Sequence, residues 1–218
     1  MIDYRNNQVK HILRMVSNGL HVIDPSRIDV RGNLEFGNNV FIDINVIFIG
    51  VVILGNNVKI GPGCIINNTV IHENTYVKEY SGIEGSMIGK KCIIGPYARI
   101  RPSSNIGDIS QIGNFVEIKD SIIGSNCKIN HHSFIGNAII GADAIIGAGC
   151  ITCNFDGQKA VQTIIGNKAY IGAGVQLVAP INIGENSTIG AGSVITEDVV
   201  EYSKVLARSR QVTIKQRN

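Results

Sequence analysis

The sequence predicts an all-β fold, a parallel β-helix with a short N-terminal helix and a basic C-terminal tail. A six-residue echo carries this reading. Aliphatic–glycine pairs recur as Leu54-Gly55, Ile60-Gly61, Ile88-Gly89, Ile94-Gly95, Ile140-Gly141 and Ile146-Gly147. They return as Ile165-Gly166, Ile171-Gly172, Ile183-Gly184 and Ile189-Gly190. A small residue recurs near-periodically beside them, at Val58, Cys64, Cys92, Ala98, Cys127, Ala144, Cys150, Ala169, Ser187 and Ser193. A fixed short period is the mark of a solenoid. Composition agrees, with 25 Gly, 6% aromatic residues and no Trp, which suits a thin coil lined by Ile and Val.

Each hexad reads as a short strand plus a corner. The aliphatic residue points inward, and the small residue fills a slot with no room for a large one. Gly, Asn and Asp at corners tolerate positive φ or bond their own backbone. Three hexads close a triangular coil of roughly 18 residues, so the span from Leu34 to Thr196 predicts about nine coils.

Taken in order, residues 1–20 form an N-terminal helical segment. Val9, Ile12, Leu13 and Val16 sit at helix spacing, and Asn18-Gly19 stops the run. Residues 21–203 form the β-helix domain, entered at Asp24-Pro25. Residues 79–86 read as irregular, and Ile118–Ile123 and Ile135–Ile140 as five-residue hexads. Asn154–Thr163 lacks the inward pattern and predicts a loop leaving a corner, a common place for function. Residues 204–218 form the basic tail.

A net charge of +3 is too small to argue for nucleic acid and accords with an anionic small ligand. No long apolar run suggests a signal peptide or membrane span. Cys64, Cys92, Cys127 and Cys150 occupy the inward slot and read as small hydrophobes, so Cys150 and Cys153 are discounted as a redox pair. Free thiols point to the cytoplasm. His11, His21 and His72 have no ligand spacing with His131 and His132, so no metal site is expected.

Arg101 and Lys119 are 18 residues apart and each follows an inward Ile. One coil of separation predicts a shared face, where the pair forms either a phosphate clamp or two solvated charges. His131 and His132 lie at a corner, as a general base or as plain exposed histidines.

Four motifs then carry a resemblance. They are Gly95-Pro96-Tyr97-Ala98-Arg99-Ile100-Arg101-Pro102, Gly113-Asn114-Phe115-Val116-Glu117-Ile118-Lys119, the run from Gly147 to Gly157 (GAGCITCNFDG), and Gln176-Leu177-Val178-Ala179-Pro180. Together they resemble the C-terminal half of the bifunctional N-acetylglucosamine-1-phosphate uridyltransferase/glucosamine-1-phosphate acetyltransferases, GlmU, within the hexapeptide-repeat acyltransferases. The resemblance spans roughly Val22 to Gln211.

The resemblance implies a left-handed β-helix, a homotrimer with sites between subunits, and acetyl transfer from acetyl-CoA to the amine of glucosamine-1-phosphate. The product would serve UDP-GlcNAc and cell-wall precursor synthesis. It casts His131 as the base, Glu117 as the carboxylate orienting it, and Arg101 and Lys119 as sugar-phosphate ligands. Ala148, Asn154, Phe155, Ala173, Ala191 and Arg208 match coenzyme-contacting positions. The N-terminal helix resembles the end of an inter-domain connector, and no counterpart of the uridyl-transferring half is expected to act here.

Departures are Phe134 for a Tyr, Ile145 for a sugar-binding Asn, Ala160 for a loop Lys beside Lys159, and Ala173 for a Ser. They leave open an acetyltransferase for another amino-sugar, or a non-catalytic trimer that binds a sugar phosphate.

Overall fold

A computed structural model describes residues 2–214. It is a left-handed parallel β-helix of about ten turns with one helix. Its short strands form two parallel sheets, of 11 and 16 strands. The 11-stranded sheet makes one face of a triangular prism. The larger sheet wraps the other two faces, because the long strands Ile28–Phe36, Val46–Leu54 and Ile65–Ile71 run around a corner. The chain bends there at Gly50 and Asn68, whose φ values are 66° and 44°.

The stack is longer than the repeat predicts. His21–Val22 and Lys204–Val205 add rungs below and above, pairing with Phe41–Ile42 and Thr188–Ile189. The coil length also varies. Ile94 pairs with Ile112, 18 residues on, while Ile112 pairs with Ile129, 17 on. The five-residue hexads explain the shorter step, since Asp120 and Asn137 turn single-residue corners at φ 48° and 49°. Residues 79–86 prove regular, with the strand Gly82–Glu84 pairing with both neighbouring coils.

The predicted inward slots are filled as expected. Cys64, Cys92, Cys127 and Cys150 are at most 2% exposed. Their thiols donate to carbonyls of the next coil, at 3.1 Å for Cys64 to Lys78 and 3.2 Å for Cys92 to Gly107. Thr75 and Ser110 do the same through hydroxyls, to Gly89 at 2.7 Å and Gly124 at 3.0 Å. Where a Cys, Ser or Thr makes such a bond, the slot fastens one coil to the next, and a larger residue would displace it. Burial pushes the Cys64 thiol up to about 12 and the Cys92 thiol to about 11.

The helix Ile2–Ser17 closes the bottom of the prism. Solenoid ends expose apolar rungs and need such a cover. Its buried residues are Ile12 and Met15, whereas Leu13 and Val16 are exposed, so the docked stripe differs from the predicted one. Polar anchors decide the rotation. Arg5 pairs with Asp29 at 2.9 Å, and Gln8 exchanges hydrogen bonds with the Val30 backbone at 3.0 and 3.1 Å.

Candidate functional site

One corner of the prism gathers most of the predicted site. The 11-stranded face runs into it, and the strands Arg99–Ile100, followed by Arg101, and Glu117–Lys119 leave from it. Going up the stack, its left-handed positions are Tyr80, Tyr97, Phe115 and His132, with φ between 54° and 57°. Their rings stack in a continuous ladder, with centroids 5.2, 5.3 and 5.1 Å apart. Above His132 the ladder stops, and Gly149, Gly174 and Gly192 take the same turn at φ 71°, 68° and 70°.

The preceding corner position carries Asn114, His131, Ala148, Ala173 and Ala191. The first four carbonyls accept from the coil above: Asn114 from His132 at 3.1 Å, His131 from Gly149 at 2.8 Å, Ala148 from Gly174 at 2.8 Å and Ala173 from Gly192 at 2.8 Å. The structure thus lines up His131, Ala148, Ala173 and Ala191 on one edge. Arg208 follows the last rung, where the Ala207 carbonyl accepts from Val194 at 3.1 Å. The edge above His131 is bare. A side chain built on Gly174 or Gly192 would meet nothing within 4 Å. This open shelf leaves room for an extended ligand along the edge above His131.

The adjoining face holds the cations. Register Ile100↔Ile118 places Arg101 and Lys119 at the same rung position, one coil apart. Both are half-buried. Arg101 Nη1 donates to Glu117 Oε1 at 2.8 Å. Among the described residues, no carboxylate pairs with Lys119. A groove of about 510 Å³ abuts Arg101 and the Tyr97 and Phe115 rings.

Glu117 is held against Arg101, and among the described residues it makes no hydrogen bond to His131. It stands on the flat face opposite Phe134, while His131 turns the corner three residues earlier. The group at the His131 Nδ1 is the side-chain oxygen of Asn114. Sequence reasoning quoted Asn114 within a motif but missed this contact. The signal was present in the 17-residue offset of the two positions, which is one short coil.

Two expected pairs are separated. Phe134 lies on the face of Glu117, but Ile145 lies on the 11-stranded face, between Lys128 and Tyr170. Asn154 and Phe155 stand at the far edge of the Arg101 face. There Asn154 donates to Asn137, and the predicted loop leaves the coil. Phe155 is exposed and bridges to Ala160 in antiparallel fashion. Asp156 ties the loop by accepting from the Gln158 and Lys159 backbones, each at 2.8 Å, and those bonds, Lys159 first, hold its carboxyl below the usual range.

The comparisons extend these observations. A family model described as GMPPB C-terminal domain matches residues 22–108 and 94–179, and one described as bacterial transferase hexapeptide (six repeats) matches residues 162–197. The bifunctional protein GlmU of Baumannia cicadellinicola subsp. Homalodisca coagulata is 47% identical over 211 residues, covering 97% of this chain and 44% of that protein. The GlmU of Marinobacter nauticus is 45% identical over 201 residues, covering 92% of this chain and 44% of that protein. The chain thus spans under half the length of these relatives. Among solved structures, LpxA, a UDP-N-acetylglucosamine acyltransferase from Bacteroides fragilis, is 19% identical with TM-score 0.55, covering 85% of this chain and 68% of the other. The Francisella novicida UDP-N-acetylglucosamine acyltransferase is 18% identical with TM-score 0.56, covering 86% and 66%. At this identity the two structures speak to the fold alone.

Proposed function

The chain belongs to the hexapeptide-repeat family and corresponds to the C-terminal half of GlmU, and from that premise we propose that it transfers acetyl from acetyl-CoA to the amine of glucosamine-1-phosphate. The observation that carries this reading is the single edge on which His131 stands directly below a bare Ala–Gly shelf, beside the Arg101 and Lys119 face.

In the proposed reaction the amine nitrogen attacks the thioester carbonyl carbon. The carbon–sulfur bond breaks and the sulfur leaves with its electron pair. His131 takes the proton released by the nitrogen and passes it to the departing sulfur. The Ala148 N–H, one coil above His131, has no hydrogen-bond acceptor among the described residues and is placed to stabilise the oxyanion. Arg101 and Lys119 hold the sugar phosphate, which fixes the distance of the amine to the carbonyl. Glu117 aims the Arg101 guanidinium.

We also propose a homotrimer with sites between protomers. The third face supports it with a column in register that is apolar except at Asn105, between Met87 and Ile122. Ile53, Met87, Ile122, Ile139 and Ile164 lie there and are 37–53% exposed. An apolar stripe of this length is a protein–protein surface. Assembly would also bring together groups that one chain holds apart, namely Ile145 with Phe134, and Phe155 with the Ala edge. All five cysteines are free, which accords with a reducing cytoplasm. No described helix is long and apolar enough to cross a membrane.

The experiment is a thiol-release assay with acetyl-CoA and a panel of amino-sugar phosphates. Release dependent on glucosamine-1-phosphate supports the reading. Turnover of only another amino-sugar reassigns the acceptor. No release with any of them favours a non-catalytic binding trimer.

A further inference from the structure

We propose that Asn114 is the positioning residue of His131: its side-chain carbonyl accepts the Nδ1–H and so leaves the Nε2 lone pair facing the acceptor amine. The importance of the contact for catalysis rests on the acetyltransferase reading. The contact itself does not.

Three successive residues of one coil carry three successive residues of the next. Gly113 lies beneath Asn130 and the imidazole. A Cβ there would come within 3.1 Å of the Asn130 carbonyl carbon and 3.3 Å of His131 Nδ1, so the ring occupies space that a side chain would claim. Asn114 lies beneath His131 at the same corner position, fixed by the His132 N–H to Asn114 carbonyl bond at 3.1 Å. Its Oδ1 meets Nδ1. A carbonyl oxygen can only accept, so Nδ1 carries the proton and Nε2 is the free base. Phe115 lies beneath His132 and stacks on it, with centroids 5.1 Å apart and planes inclined by 21°. The stack pins the residue next to the base. The run Gly113-Asn114-Phe115 is thus a cradle for Asn130-His131-His132.

The chemistry of the acceptor matters. A solvated histidine side chain favours the Nε2–H form, which would turn the basic lone pair toward the coil below. A carboxylate would fix the ring equally well but would add a charge beneath it. Asn114 fixes the tautomer without that charge, while Glu117 on the adjoining face is engaged by Arg101 at 2.8 Å.

The test is ring nitrogen-15 NMR of the full chain labelled at histidine, at alkaline pH, with His131→Ala and His132→Ala supplying the assignments. The natural chain should show His131 as Nδ1–H. Asn114→Ala should revert it to Nε2–H, and Asn114→Asp should retain Nδ1–H. In the acetyl-transfer assay, Asn114→Ala should lower kcat about 10- to 100-fold, less than loss of the base itself. KM for both substrates and the melting temperature should stay close to natural values, and Asn114→Asp should recover most of kcat. A dominant Nε2–H form in the natural chain would overturn the proposal, as would a tautomer indifferent to Asn114→Ala. The expected tautomers in a chain that acetylates nothing would leave the contact standing and remove the acetyltransferase reading.

Discussion

Arg101 and Glu117 form an ion pair of 2.8 Å between neighbouring coils, directly beside Lys119. The site thus offers a phosphate one cation already aimed by a carboxylate and one without a carboxylate partner. Both members of the pair are about one-third exposed, so the bond organises geometry more than it stabilises the fold.

Arg101→Ala should weaken binding of the sugar phosphate by about 1.5–3 kcal/mol, the range for a charge-assisted hydrogen bond. Coenzyme affinity should be unchanged. Glu117→Gln should have a smaller effect, because it frees the guanidinium while loosening its aim. Calorimetry with the sugar phosphate alone reads both. Unchanged affinity in Arg101→Ala would mean that the pair is an ordinary surface bridge.

The two histidines should separate cleanly. His131→Ala should lose about 10²- to 10⁴-fold in turnover, as expected for a missing general base. His132→Ala removes only the top ring of the aromatic ladder and should keep most turnover, with a stability loss of about 0.5–1.5 kcal/mol for the lost stack. Steady-state rates and urea midpoints on the same two variants decide it.

Cys153 should be the thiol that reacts with a disulfide reagent in the native state at pH 8, since the other four are buried. The raised thiols also predict alkaline lability. The native state keeps protons that the unfolded chain releases, so this stability is intact below about pH 9. It falls as pH rises toward the values of about 11 for Cys92 and 12 for Cys64. Cys64→Ala should flatten that decline, because Ala already fills the equivalent slot at Ala98 and Ala144. Urea midpoints between pH 7 and 11 provide the measurement.

Phe134→Tyr and Ile145→Asn should each lower KM for glucosamine-1-phosphate by roughly two- to twelvefold, the equivalent of a neutral hydrogen bond worth about 0.5–1.5 kcal/mol. Because assembly would bring the two residues to one site, a double-mutant cycle should show coupling between them. A low micromolar KM in the natural chain would show that other groups already supply those contacts.

Ile122→Lys combined with Ile139→Lys should convert the assembly to monomers, read by light scattering, and abolish turnover with the coil intact by circular dichroism. Retention of the trimer would move the interface to another face.

The coil was legible in the sequence because its rule is local. An aliphatic residue and a small one at fixed spacing suffice to place Ile100, Ile118 and the four inward cysteines. Rotation of the helix was not, because Leu13 and Met15 lie on overlapping stripes of one pattern and the choice falls to Arg5 and Gln8, whose partners Asp29 and Val30 lie over 20 residues away. The same holds at the site. Arg101 and Lys119 announce themselves by their spacing. The partners of Glu117 and His131 depend on which side of a corner each residue turns, which the spacing of the repeat does not encode.

The straight edge from His131 through Ala148 and Ala173 to Ala191 behaves as a ruler. Each rung advances about 4.8 Å, so three rungs set the base and the last residue of the shelf roughly 14 Å apart. Reach is thereby encoded as a count of turns, separately from the chemistry at the base. Splicing one complete coil into or out of the segment above Ala148 would shift the anchoring point by one graduation while leaving His131, Asn114 and the clamp untouched, so donors of different length could be matched by changing the number of turns.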